Sequence, residues 1–235
     1  MGRKVWLFVS LLWLPLGASA ATIALTPVAD ADVFYSSFSG GSTSNTGTHG
    51  SFRVGGGGYN STRSLAYLKY DLSSVSDPIS TAMLSLTVAA NYDGITKLSV
   101  RGLNEGDPGE AWGETSIVWG NAPGTNYNNT TLLEEKFGVN SYDVGGVLTF
   151  QSSQIVDFLK EDANNTVTFI LSSYWNLNAY YTSFYAKENG DPNLAPTLTI
   201  TTVPLPPAAI LFVSAMGVMV LIGQGKRRNQ RGFLT

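Results

Sequence analysis

The chain has 235 residues, contains no cysteine and carries a formal net charge of −3. Without cysteine it forms neither a disulfide nor a Cys-ligated metal site, so its stability has to come from a packed core. Its acidic balance argues against nucleic acid as a partner, because negative surfaces repel phosphate backbones.

Residues 1–20 have the three parts of a secretory signal peptide. Arg3 and Lys4 are basic, residues 5–16 are apolar, and Ala18-Ser19-Ala20 is an A-x-A cleavage site. The apolar stretch is too short for a comfortable membrane span. The sequence therefore predicts an exported protein whose mature domain begins near residue 21.

Residues 21–202 contain short runs of alternating apolar and polar residues, separated by Ser, Thr, Asn and Gly. This pattern predicts β-strands nearly throughout. The clearest strand is 82–90, and four glycines at 55–58 are expected to lie in a surface loop, as is the polar stretch 36–50. Further strands are predicted at 23–25, 32–34, 52–54, 64–72, 98–103, 147–150, 166–171, 183–186 and 197–201.

One helix is predicted at 154–161, because Ile155, Phe158 and Leu159 share one side and Ser152 or Ser153 can cap the first turn. About ten short strands with a single helix indicate an all-β domain built as a two-sheet sandwich. The helix is expected to cover one end of this sandwich.

Residues 203–235 combine prolines, an apolar run and a basic end. From residue 205 to 223 the run is uncharged and gives roughly 28 Å of helix, which just reaches across a hydrocarbon core of about 30 Å. The positive-inside rule places the basic end in the cytoplasm and the preceding domain outside. A buried C-terminal helix of the domain is the alternative, but it leaves the prolines and the basic end without a role. The flanking residues are Val203, Pro204, Leu205, Pro206, Pro207 and then Lys226, Arg227, Arg228.

This order of elements resembles the PEP-CTERM sorting signal in its VPLPA variant. The resemblance implies recognition and cleavage by an exosortase-type sorting protease in a Gram-negative bacterium. Pro207 stands where the variant usually has Ala. We therefore expect attachment to the membrane through the C-terminal helix before processing. The final location is then expected to be the cell membrane, the cell surface or the extracellular matrix.

Removal of both targeting segments changes the charge of the remaining domain. Arg3, Lys4 and the four basic residues of the tail are lost, so eight Lys and Arg remain against 17 Asp and Glu, a net charge of −9. Such a surface weighs against a strongly polyanionic sugar as ligand, unless calcium bridges the two.

Seven segments of this domain follow one another in a recognisable order. They are residues 29–33, 52–56, 66–73, 79–88, 112–123, 186–188 and 196–200. Their order resembles that of the DNRLRE domain, also grouped as carbohydrate-binding module family 96. The resemblance implies a jelly-roll β-sandwich and the binding of polysaccharide.

Four aromatic residues in the polar stretch around residues 173–182 are predicted to contact carbohydrate, since aromatic faces and Asn side chains form sugar-binding platforms. Packing within the loop is the alternative interpretation. Trp112 and Trp119 follow the family's tryptophan pattern, so we interpret them as core residues. The predicted carbohydrate contacts are Tyr174, Trp175, Tyr180 and Tyr181.

Acidic residues at two places are candidates for a structural calcium ion, which prefers several oxygen ligands on flexible loops. A solvated acidic loop is the simpler alternative for the group around Trp112, and a pair of catalytic carboxylates is another. That group comprises Glu105, Asp107, Glu110 and Glu114. The predicted calcium ligands are Asp30, Asp32, Glu105 and Asp107.

The sequence offers little for catalysis, since its one histidine, His49, lies in a Gly- and Thr-rich stretch without a nucleophile motif. We therefore predict a non-enzymatic surface or matrix protein that binds or organises extracellular polysaccharide. A structural spacer, or a self-associating surface protein, without sugar binding is the first alternative. A polysaccharide-degrading enzyme that uses the acidic group around Trp112 is the second.

Overall fold

A computed structural model describes residues 20–37, 45–57, 62–92, 95–106, 108–173 and 180–203. Within these ranges Ala21–Thr202 forms a compact unit. Its strands are β1 Ala21–Leu25, β2 Ala29–Tyr35, β3 Ser51–Gly57, β4 Thr62–Asp71, β5 Ile79–Tyr92, β6 Lys97–Leu103, β7 Thr130–Phe137, β8 Val147–Phe150, β9 Thr166–Ser173, β10 Tyr180–Tyr185 and β11 Thr197–Thr202. The α-helix, α1, covers Ser153–Glu161.

The strands form one curled antiparallel sheet in the order β1-β11-β5-β10-β3-β4-β9-β6-β7, with β2 added to β4 and β8 added to β5. The long strand β5 makes the curl possible. Its first part pairs with β11 and β8, whereas Val88, Ala90 and Asn91 pair with β10. The predicted all-β fold with one short helix is confirmed, and its description as a jelly roll stays a prediction.

The main core lies inside the curl and contains Ala82, Leu84, Leu86 and Val88, four alternate residues of β5. Ala90, which the alternating pattern places on the same face, is only partly buried. Aromatic rings fill the centre, where Tyr70 and Phe169 pack edge to face with ring centroids 5.8 Å apart. Burial of these apolar side chains contributes roughly 1.5–3 kcal/mol each before conformational entropy is subtracted.

Helix α1 packs against this core with Ile155 and Leu159 buried. Its first turn is capped by Ser152, whose Oγ accepts a hydrogen bond of 3.2 Å from the backbone N–H of Ile155. The predicted helix and its cap are thereby confirmed, with a start one residue earlier than expected.

A second, smaller core covers the opposite face of β2 and β4. The long segment between β6 and β7 folds over this face and buries Trp112 against Tyr67, with ring centroids 5.9 Å apart. The indole Nε1 donates a hydrogen bond of 3.1 Å to Thr168 Oγ1. Trp119 packs against the same core and lies 5.3 Å from Tyr35 between ring centroids. Both tryptophans have the structural role that the sequence pattern indicates.

Two local predictions were wrong. Gly55, Gly56 and Gly57 belong to strand β3 rather than to a loop, with φ angles of 143°, 150° and 133°. A Cβ atom at Gly55 would meet the carbonyl oxygen of Tyr180 at 2.1 Å, so glycine is required by the close approach of β10. Strand β7, Thr130–Phe137, was not predicted at all.

Within the described part of the chain, none of the helices has the length and apolar character that membrane crossing requires. The predicted transmembrane segment, residues 205–223, lies outside the described residues, as do the prolines and basic residues of the predicted sorting signal beyond Val203.

Candidate functional site

A groove of about 510 Å³ lies on the outward face of strands β3 and β10, and we call it the β3–β10 groove. The two strands pair antiparallel, with Tyr181 opposite Gly55 and Ser183 opposite Arg53. Because side chains alternate along a strand, every second residue enters the main core and the others face the groove. The groove is lined by Thr46, His49, Ser51, Arg53, Tyr181 and Ser183.

The lining combines a phenol ring, hydroxyl groups, an imidazole and a guanidinium, and these six residues include no carboxylate. Hydroxyl groups both donate and accept hydrogen bonds, which suits the hydroxyls of a sugar ring. The ring of Tyr181 adds an apolar face that can pack against the C–H surface of a pyranose. The chemistry of the groove is therefore that of a binding site for a polar, ring-shaped ligand.

Tyr181 is held in place at one end of the groove. Its hydroxyl lies 2.7 Å from Thr62 Oγ1, which also donates a hydrogen bond of 3.0 Å to the carbonyl oxygen of Gly57. These contacts fix the orientation of the ring before a ligand arrives, which reduces the entropy lost on binding.

Asp32 supports the groove from below. Its side chain is buried, Oδ1 accepts a hydrogen bond of 2.5 Å from the Thr46 hydroxyl, and Oδ2 accepts bonds of 2.9 Å from the Arg53 backbone N–H and 3.1 Å from Ser64 Oγ. Oδ2 also lies 3.5 Å from Nε of Arg53. Both oxygens of this predicted calcium ligand therefore accept hydrogen bonds from the protein. Through these bonds Asp32 positions Thr46 and Arg53, two residues of the groove.

The four predicted aromatic contacts do not share one position. Tyr174 and Trp175 lie outside the described residues. Tyr180 and Tyr181 are consecutive residues of β10 and point to opposite faces. Tyr180 packs against the main core, and Tyr181 lines the groove. Of the two that the structure describes, Tyr181 therefore has the position that ligand contact requires.

The predicted calcium ligands are also dispersed. Asp30 lies with Glu114 and Glu188 in a group that we call the Asp30 cluster, in which one carboxylate oxygen of each residue lies within 4.8 Å of the others. Burial raises the pKa of the Asp30 carboxyl to about 7, the N–H of Lys187 lowers it, and the charge of Glu188 raises it further. This cluster is the group of described residues with the geometry to hold a metal ion.

Glu105 lies in a different place, in a pocket of about 310 Å³ that also contains Glu110 and Asp162. Asn164 Nδ2 donates hydrogen bonds of 3.1 Å to Glu105 and 2.9 Å to Glu110. Burial raises the pKa of both Glu110 and Asp162. Asp107, the remaining predicted ligand, is outside the described residues.

The acidic group around Trp112 is therefore divided between two sites, because Glu114 belongs to the Asp30 cluster and Glu110 to the pocket with Glu105. This separation removes Glu114 from any catalytic carboxylate pair with Glu105 or Glu110.

Most residues of the groove were not among the predicted contacts. Thr46 and His49 were predicted to lie in a surface loop and Arg53 in a strand, and Ser51 falls between these two predicted segments. The sequence signal for these groove residues is the alternation of polar Ser51 and Arg53 with apolar neighbours, which predicts an outward face of a strand. It does not show that a second strand lies beside this face and completes a groove.

Comparison with known proteins supplies one match to this architecture. The family model for carbohydrate-binding module family 96 matches residues 21–202. No curated protein matches the chain.

Proposed function

Because the chain belongs to carbohydrate-binding module family 96, we propose that it binds a polysaccharide in the β3–β10 groove. The observation that carries this proposal is the fixed ring of Tyr181 beside the hydroxyl groups of the groove. The family is one of binding modules rather than catalytic domains, which favours a non-enzymatic protein. We also infer that the curled sheet is a jelly-roll β-sandwich, the fold that the resemblance implies.

The groove has the size and the chemistry that the proposal needs. Its volume of about 510 Å³ falls in the range of roughly 300–1,000 Å³ that small-ligand sites occupy. One or two sugar rings of a polysaccharide chain would lie against Tyr181, with hydrogen bonds from the hydroxyl groups of Ser51 and Ser183. Arg53, whose side chain is 48% exposed, supplies a cationic donor to sugar oxygens.

Export and sorting complete the proposal. The predicted signal peptide of residues 1–20 and the PEP-CTERM-like segment of residues 203–235 support delivery to the outside of a Gram-negative cell and processing by an exosortase-type protease. The protein would then bind or organise polysaccharide at the cell surface or in the extracellular matrix. Intact-mass measurement of the native protein distinguishes a processed chain that ends near residues 203–207 from an anchored chain that retains Arg231.

Binding to purified polysaccharides tests the carbohydrate proposal. The protein is applied to an array of neutral and acidic polysaccharides, with and without calcium, and each bound polysaccharide is confirmed by a pull-down. We expect at least one envelope or matrix polysaccharide to bind. Absence of binding to every polysaccharide, in both buffers, would refute the proposal.

A self-associating structural protein is the second candidate, and one observation favours it. Strand β7 ends the sheet order and exposes large apolar side chains, with Phe137 72% and Leu132 41% accessible. Exposed edge strands of this kind pair with other chains. Sedimentation at increasing concentration, without sugar, would reveal assembly, and Phe137→Lys should abolish it if β7 forms the contact.

A further inference from the structure

The Asp30 cluster joins three separate parts of the chain. Glu114 Oε1 accepts hydrogen bonds of 2.8 Å from the backbone N–H of Asp30 and 2.8 Å from Nζ of Lys187. The same ammonium group bonds Glu188 Oε1. Asp30 Oδ2 accepts a hydrogen bond of 2.8 Å from the backbone N–H of Lys187. Strand β2, the segment after Ala111 and the segment after β10 therefore meet at these carboxylates.

Two oxygens of the cluster have no hydrogen-bond partner. They are Asp30 Oδ1 and Glu188 Oε2, and both atoms are buried. The Asp30 residue is 1% exposed, so solvent does not satisfy its free oxygen. When Asp30 and Glu188 are both ionised, these buried oxygens have no donor and are costly, because the protein supplies nothing in place of their lost hydration. The position of these oxygens points to a ligand of positive charge.

The charge of the cluster indicates the valence of that ligand. When ionised, Asp30, Glu114 and Glu188 contribute three negative charges, and Lys187 contributes one positive charge. The remaining charge of −2 is the charge that one divalent cation neutralises. Buried charges in proteins are paired with opposite charges or coordinate metal ions.

We propose that Asp30, Glu114 and Glu188 bind one calcium ion. Ca²⁺ takes oxygen ligands at roughly 2.3–2.6 Å, so two ligands on opposite sides of the ion lie about 4.6–5.2 Å apart, which suits oxygens within 4.8 Å of one another. Mg²⁺ demands a near-ideal octahedron and gives up its hydration waters reluctantly, so three protein carboxylates around one ion suit it less well than they suit Ca²⁺. The ion enters from the side of Glu114 and Glu188, whose side chains are 22% and 24% exposed. This proposal does not depend on carbohydrate binding.

The test measures calcium binding to the full chain, purified in a mild detergent and stripped of metal with a chelator. Isothermal titration calorimetry with CaCl₂ should show one site per chain. Thermal unfolding should shift upward by roughly 5 °C or more when calcium is about 100-fold above its dissociation constant. MgCl₂ should give a weaker response at the same concentration.

Four variants locate the site. Asp30→Asn and Glu188→Gln each remove one ligand charge and should abolish the calcium shift, and two such variants protect the test against misfolding of either one. Glu105→Gln changes an acidic residue of the other pocket and should retain the full shift. Lys187→Met removes the competing positive charge and should increase calcium affinity at least several-fold.

Three results would overturn the proposal. The first is the absence of stoichiometric calcium binding by the unmodified chain. The second is a calcium shift that persists in both Asp30→Asn and Glu188→Gln, or that Glu105→Gln also abolishes. The third is a Lys187→Met variant that binds calcium no better than the unmodified chain, because loss of the ammonium group leaves these carboxylates more negative and must strengthen an ion site that they form.

Discussion

The carboxylate of Asp32 accepts a hydrogen bond of 2.9 Å from the backbone N–H of Arg53. This bond connects strand β2 to strand β3, which forms one wall of the β3–β10 groove. The same carboxylate accepts a bond of 2.5 Å from the hydroxyl of Thr46, another residue of the groove. A buried side chain thus positions two residues that line the groove.

Replacement of this carboxylate should destabilise the fold. Asp32→Ala leaves the Arg53 N–H, the Ser64 hydroxyl and the Thr46 hydroxyl without their acceptor, and we expect a loss of about 3 kcal/mol in the free energy of unfolding. Urea denaturation measures the change. Asp143→Ala, which removes an exposed carboxylate, is the matched control and should change stability by less than about 0.5 kcal/mol. Equal stabilities for the two variants would contradict the role of Asp32.

The ring of Tyr181 should supply much of the affinity for polysaccharide. Tyr181→Ala removes the stacking face and is expected to weaken binding about 10-fold, which corresponds to roughly 1.4 kcal/mol. Tyr181→Phe keeps the ring and loses the contact with Thr62, so its affinity should stay within about threefold of the unmodified chain. Affinity electrophoresis in polysaccharide-containing gels gives both values.

Tyr35→Ala is the control for this pair of variants, because Tyr35 is a half-buried tyrosine that packs on Trp119 in the second core. It should leave polysaccharide affinity unchanged. Loss of binding in Tyr35→Ala with normal binding in Tyr181→Ala would move the site away from the groove.

The unfolding free energy of the calcium-free protein should fall as the pH rises from about 4 to about 7. The pKa of Asp30 rises from 3.8 to about 7 on folding, chiefly because the carboxyl is buried. Between these values the folded protein retains a proton that the unfolded chain has released, so a rise in pH favours unfolding. The change amounts to about 4 kcal/mol at most.

The groups that face Asp30 are Glu188, Glu114, Lys187 and Tyr70. The Asp30→Asn variant has no titratable group at this position, so its free energy of unfolding should change little over this pH range. Urea unfolding in the presence of a chelator, near pH 5 and near pH 8, compares the two proteins. Parallel pH profiles would show that Asp30 does not titrate as described.

Gly55 should resist substitution, because its φ of 143° and the Tyr180 carbonyl 2.1 Å from the position of a Cβ atom exclude a side chain. We expect Gly55→Ala to lower the free energy of unfolding by about 2 kcal/mol or more. Gly190→Ala is the control, since nothing lies within 4 Å of its Cβ position. Thermal unfolding of both variants distinguishes a strand position from the loop that the sequence suggested.

The sequence was informative where a strand has one buried face. Strand β5 was predicted because its apolar residues alternate, and they enter the main core as expected. Strand β7 gave no such signal, because Leu133 is its one buried residue and its sequence, TTLLEEKF, does not alternate. An edge strand that packs little against the core cannot be recognised from hydrophobic periodicity.

The candidate sites depended more on topology than on local sequence. Tyr181 was predicted from the aromatic and polar composition of its stretch, but only the pairing of β3 with β10 shows which residues join it. Asp30 and Glu114 are 84 positions apart and meet through a hydrogen bond. Local patterns grouped Asp30 with Asp32 and Glu114 with Glu105, whereas the fold separates both pairs.

The most direct test of the β3–β10 groove is to map the backbone amide shifts of the labelled protein during titration with an oligosaccharide of a bound polysaccharide. The groove predicts that the largest shifts occur at Ser51, Arg53, Tyr181 and Ser183 and that they disappear in Tyr181→Ala. Largest shifts around Trp119 or Glu105, with the groove unchanged, would contradict it.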